Sequence, residues 1–210
     1  MKGEIKEWVE KEFKTLQFKS LRLERRFKMA MSNLSEQPDK SIWLASGSRS
    51  NAKAVYRMLA NEKCDKESIL SAHRDAIEVR NESKVMLAVQ DTMSVNYKTH
   101  TKTSGLGYNC EKERLGINVH SSVALTPEGV PIGVFSQSVN TRTGEKDTRT
   151  KEQRKRRPIE EKESYCWLEA MKTASENAPS NVKLIHIADR EGDIYEFTGS
   201  EYILVSVVLT

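Results

Sequence analysis

Cysteine is scarce in this chain: Cys64, Cys110 and Cys166 are the three among 210 residues, and they lie far apart. An odd count without close spacing excludes a disulfide-rich scaffold and offers no zinc-ligand pattern. It fits a reducing compartment, with the thiols as small buried or half-buried side chains. Glycine, at 10 residues, excludes a collagen-like period, and no internal repeat is visible. No run reaches the ~18 consecutive apolar residues of a membrane span. The opening stretch Met1-Lys2-Gly3-Glu4-Ile5-Lys6-Glu7 holds no apolar signal core. These features predict a cytoplasmic protein with no membrane partner. Hydrophobic residues make up 37% of the chain, low for a globular domain but above the disordered range. The length predicts one large domain or two small ones.

What the chain does have is charge, unevenly spread. Residues 1–80 hold 17 basic and 12 acidic side chains, residues 81–140 hold 5 and 5, residues 141–163 hold 9 and 6, and residues 164–210 hold 3 and 7. A basic front, a neutral middle, a short basic stretch and an acidic end suit a polyanion partner beside a separate metal or proton site. Ordinary solvated surfaces give the same pattern.

The front reads as helices. Ile5, Trp8, Val9, Phe13 and Leu16 share a face at helical spacing, as do Leu23, Phe27, Ala30, Met31 and Leu34, with Pro38 ending the second helix. Ser50 is placed to cap a third helix with Ala52, Val55 and Leu59 inward. Asp65 is placed to cap a fourth, with Ile69, Leu70, His73, Ala76 and Ile77 inward. Arg22, Arg25, Arg26 and Lys28 cluster on the second helix; Arg49, Lys53 and Arg57 cluster on the third. Such clusters neutralise phosphates, and equally make a solvated face. Trp43 and Tyr56 are of a kind that stacks on bases or fills a core.

The back reads as strands with a late helix. Val85 to Asp91 is an apolar run ending in an acid; residues 98–116 read as loop. Ile117 to Leu125 alternates, Thr126-Pro127-Glu128-Gly129 is a turn, and Val130 to Val139 returns as a hairpin partner. Residues 140–160, with Arg154-Lys155-Arg156-Arg157, read as a DNA-facing loop or a disordered one. Glu161 to Asn177 turns helical, with Trp167, Leu168, Met171 and Ala174 on one side. Val182 to Ala188 is a second buried strand ending in an acid, Asp189. Two carboxylates on one rim of a sheet are hard oxygen ligands suited to magnesium, and each alone equally well caps a turn. A two-metal site would act on a phosphate.

Six stretches then resemble one family, the bacterial DDE transposases of the IS-four group. Ala88-Val89-Gln90-Asp91-Thr92 resembles its first acidic motif, and Ala188-Asp189-Arg190-Glu191-Gly192-Asp193-Ile194-Tyr195 its second. Gly116-Ile117-Asn118-Val119-His120-Ser121 is similar to its G-x-x-V-H-S strand, and Lys162-Glu163-Ser164 with Trp167 to its K-E-S-x-x-W helix start. Ala54-Val55-Tyr56-Arg57-Met58-Leu59 and Leu21-Arg22-Leu23-Glu24-Arg25-Arg26-Phe27 resemble helices of its end-binding domain, although Gly-Asp is replaced in the latter.

The resemblance implies an α/β (α+β) chain. A helical domain over residues 1–80 would bind transposon-end DNA, and an incomplete ribonuclease-H-like mixed sheet with helices would follow over 81–210. It implies magnesium-dependent cleavage and strand transfer of double-stranded DNA in a homodimer. Asp91 and Asp189 carry over as metal-holding catalytic carboxylates, and Arg26 and Arg57 as DNA contacts. Arg190 and Glu191 would support the loop around Asp189, and Asp193 would cap a turn. His120 matches a family position and reads as a satisfied core histidine. The family also uses a third acid, a later glutamate in a Y-x-x-x-R-x-x-x-E helix, which nothing after Asp189 supplies. The expectation is therefore a truncated transposase, inactive alone, or a DNA-binding fragment that inhibits a full-length relative.

Overall fold

The computed structural model describes residues 5–99, 102–108, 115–141, 150, 152–153, 156–189 and 203–206. The chain divides into two units, Met1–Arg80 and Asn81–Thr210. Helices come first and a mixed sheet with helices follows, so the class is α+β. No helix among the described residues is long and apolar enough to cross a membrane.

The front unit has α1 (Glu7–Glu12), α2 (Leu21–Glu36), α3 (Ile42–Ala45), α4 (Arg49–Leu59) and α5 (Lys66–Arg80). Its core joins Val9, Phe13, Leu16 and Phe18 to Phe27 and Ala30 of α2, Val55 and Met58 of α4, and Ala72 of α5. Phe27 sits at the centre, edge-on to Phe13 at 4.9 Å and to Phe18 at 5.8 Å between ring centroids.

Three expectations change here. The first helix ends at Glu12, so Phe13, Leu16 and Phe18 reach the core from a turn and a loop, while Trp8 is left half-exposed. The third predicted helix is capped by Ser48, whose hydroxyl accepts the Asn51 amide, and it buries Met58 and exposes Leu59. A further helix, α3, precedes it. Asp65 does cap α5: its carboxylate accepts the Ser68 amide and hydroxyl, each at 2.7 Å.

A buried carboxylate ties the first helix to the last. Glu12, its side chain 10% exposed, is held by His73 and by the Arg80 guanidinium, both of α5. Burial opposes its ionisation most strongly, but the hydrogen bonds from His73 and Arg80 and their charge outweigh burial and hold the carboxyl below the ordinary range.

The back unit has β1 (Val85–Asn96), β2 (Gly107–Tyr108), β3 (Leu115–Leu125), β4 (Pro131–Asn140), a 3-10 turn (Ile159–Glu161), α6 (Tyr165–Asn177), β5 (Lys183–Ala188) and β6 (Ile203–Ser206). The order runs β2-β3-β1-β5-β6, with β4 also on β3. β1 is antiparallel to β3 and parallel to β5, and β5 is parallel to β6. The expected hairpin is present: Gly129, at φ +85°, lets its amide reach the Thr126 carbonyl at 2.9 Å.

α6 packs on β1, β3 and β4. Trp167, Ala170, Met171 and Ala174 recur at helical spacing and are buried. Opposite them the sheet offers Ala88, Ser122 and Ala124, small enough for a close approach. Ser175 of α6 meets His186 of β5 at 3.0 Å. β1 runs five residues past Asp91, and β2 lies inside the stretch expected to be loop. Cys64 and Cys166 are free and half-buried, and burial pushes the Cys166 thiol up to about 11. Cys110 lies outside the described residues.

Glu12→Ala is expected to destabilise the front unit by about 2–3 kcal/mol in denaturant unfolding; the partly solvated Arg80 keeps the loss below that of a fully buried pair. Because the folded carboxyl ionises more readily than the unfolded one, Glu12 stabilises above its unfolded pKa of ~4.3. That contribution is lost as pH falls through the lower folded value, so Glu12→Gln flattens the acid limb of stability against pH.

Candidate nucleic-acid interface and acidic sheet edge

In the front unit α2, α3 and α4 pack on one another. The α3–α4 turn is Ser46-Gly47-Ser48, with Gly47 at φ +65°. Ser46 and Ala45 are buried, the Ser46 hydroxyl bonds the Ile42 carbonyl at 2.6 Å, and Asn51 Nδ2 bonds the Ser46 carbonyl at 3.2 Å. α3 and α4 are thus joined by a short glycine turn that fixes the N-terminus of α4.

α4 buries Ala52, Val55 and Met58. Its other side carries Arg49, Lys53 and Arg57 four residues apart, all exposed, with Tyr56 beside them at 48% exposure. On α2, Arg22 and Arg25 are exposed and Arg26 is half-buried. Lys28 is occupied by Glu10 at 2.6 Å. The front unit thus exposes three of these cations on α4 and two on α2, with Arg26 half-buried. Trp43 is 46% exposed on α3. Of the later basic run, Arg157 is bound to the side chain and carbonyl of Glu161, and Arg154 and Lys155 lie outside the described residues.

Residues 5–64 match the family model described as transposase DNA-binding. The front unit therefore carries a transposase DNA-binding domain, and DNA is its partner. No curated protein matches the chain.

In the back unit the register decides where the two aspartates fall. β1 and β5 pair from Val85↔Lys183 to Val89↔Ile187, a constant offset of 98. Asp91 and Asp189 differ by the same 98 and lie two residues beyond the last pair. They occupy neighbouring positions where β5 ends and β1 continues. Asp91 is exposed, opposite Ser121 of β3; Asp189 is half-buried. Both carboxylates act electrostatically on one imidazole, His120.

His120 is buried, with its Nδ1 2.8 Å from Thr92 Oγ1, its Nε2 3.1 Å from Gln90 Oε1 and its ring edge-on to Trp167 at 4.6 Å. Burial drives its pKa down to about 4 against the opposing pull of Asp91 and Asp189, so it is a neutral group at physiological pH.

Carboxylates are the oxygen donors that a hard divalent cation such as magnesium takes. Among the described residues no group of three or more His, Cys, Asp or Glu side chains forms a metal cluster. Arg190, Glu191 and Asp193 lie outside the described residues. Gln90 and Thr92, which bracket Asp91, were missed from sequence; their alternation with Asp91 was the available signal, and it needed the β3 register to be read.

Alanine at Arg49, Lys53 or Arg57 is expected to weaken duplex DNA binding and to reduce the slope of log K against log salt by about 0.9 each. Lys28→Ala should leave that slope unchanged, since Glu10 already holds the ammonium. Fluorescence anisotropy across a salt series measures both.

Proposed function

We propose that the chain is a DDE-type transposase of the IS-four group, resembling the Tn-five transposase. Its front unit would hold transposon-end duplex and its back unit would present the catalytic carboxylates Asp91 and Asp189. The observation that carries this reading is the shared offset of 98 that aligns the two aspartates, in a chain whose front matches a transposase DNA-binding domain. The central β1, antiparallel to one neighbour and parallel to the other, supports a ribonuclease-H-like core.

In this reading α4 is the recognition helix, with Arg49, Lys53 and Arg57 toward the duplex and Arg26 of α2 on the backbone. Asp91 and Asp189 would hold magnesium. When bound, the metal supplies activation of a water or 3′-hydroxyl and charge stabilisation at the scissile phosphate. The aspartates themselves fix where the phosphate sits, and the front unit confines cleavage to the ends it grips. A homodimer on DNA follows from the same resemblance.

The alternative, a DNA-binding chain without chemistry that occupies ends against a full-length relative, is favoured by the family match falling on the DNA-binding front unit.

DNA selected from a random pool by the chain provides the test. Wild type and Asp91→Ala should bind it equally. Loss of binding in Asp91→Ala would overturn the division of labour between the units. Magnesium-dependent nicking abolished by Asp91→Ala favours the enzyme; binding with no nicking favours the alternative.

A further inference from the structure

We infer that His120 is a positioning residue for Asp91, a clamp on β3 that locks the two residues flanking that aspartate. The inference rests on the reading of Asp91 as a metal-holding carboxylate.

Gln90 and Thr92 lie on the sheet face opposite Asp91, because side chains alternate along β1. His120 stands directly across from Thr92 in the β1–β3 register. Its two ring nitrogens take one flanking side chain each, Nδ1 with Thr92 Oγ1 at 2.8 Å and Nε2 with Gln90 Oε1 at 3.1 Å. The Gln90 oxygen only accepts, so Nε2 carries the proton and Nδ1 receives the Thr92 hydroxyl. The imidazole cannot turn without breaking both bonds, and Trp167 blocks its edge. The Thr92 amide in turn donates to Asp91 Oδ1 at 2.7 Å. The path is short: Trp167 seats His120, His120 fixes Thr92, and Thr92 orients the Asp91 carboxylate. An exposed aspartate on a strand that has just lost its parallel neighbour would otherwise sample several rotamers. Groups that orient metal ligands are worth about 10–100-fold in metal affinity.

The test uses the full chain with Mn2+ as the probe, free ion being counted by electron paramagnetic resonance. His120→Phe keeps an aromatic ring against Trp167 and removes both hydrogen bonds. Thr92→Val removes one hydroxyl, and Thr92→Ser restores it. His120→Phe and Thr92→Val are expected to weaken Mn2+ binding about tenfold with the thermal midpoint retained, and Thr92→Ser to bind as wild type. Backbone 15N order parameters at Asp91 and Thr92 should fall in His120→Phe. If Asp91→Asn abolishes Mn2+ binding while His120→Phe and Thr92→Val bind as wild type, the clamp is overturned and the metal reading survives. If wild type binds no Mn2+ at Asp91, the metal reading fails, and the order parameters decide the clamp: a fall in His120→Phe sustains it, and no change refutes it.

Discussion

Everything the back unit offers chemically depends on the parallel pairing of β1 with β5. A strand's side chains alternate with period two, so a one-residue slip would send Asp189 to the other face from Asp91. In the proposed reading the offset of 98 is therefore a functional quantity as well as a packing one. It is held from one side by α6, whose Trp167, Met171 and Ala174 press on the sheet, and by the bond between Ser175 and His186. The β1–β3 pairing beside it is held by His120 of β3, whose ring nitrogens meet Thr92 and Gln90 of β1. A buried polar group must find its partner, and so tolerates fewer registers than an apolar one.

The two faces of β1 divide the work. The face toward α6 carries Met86, Ala88 and Gln90, all buried, and continues into Thr92 at the clamp. The other face carries the exposed Asp91. The carboxylate stays accessible while its neighbours are fixed, as the proposed metal-holding role requires. In the front unit the same economy appears on α4. Ala52, Val55 and Met58 anchor the helix, leaving Arg49, Lys53 and Arg57 for a polyanion.

Much of this was legible in the sequence where periodicity is strong. The α2 and α5 helices, the β3–β4 hairpin, the α6 face and the apolar runs leading to Asp91 and Asp189 follow from spacing alone. What was not legible depended on tertiary partners. Trp8 fits the apolar face of an ideal helix, but α1 stops after six residues and the loop beyond it supplies Phe13, Leu16 and Phe18 instead. Leu59 and Met58 are equally apolar, and only the packing of α2 on α4 selects Met58. Ser48 and Ser50 are equally good caps; the buried Ser46 turn chooses Ser48. β1 continues past Asp91 because β3 pairs with it as far as Asn96, which no local signal announces. At the acidic edge the residue types were visible, but the clamp was not, since Gln90, Thr92 and His120 meet only through the strand register.

The central claim is that one divalent cation sees both aspartates. Substoichiometric Mn2+ added to the 15N-labelled chain tests it directly through paramagnetic broadening of amide signals. The account predicts that signals around Asp91 and around Asp189 broaden together and at the same Mn2+ concentration. Broadening at only one of them, or at neither, would contradict it.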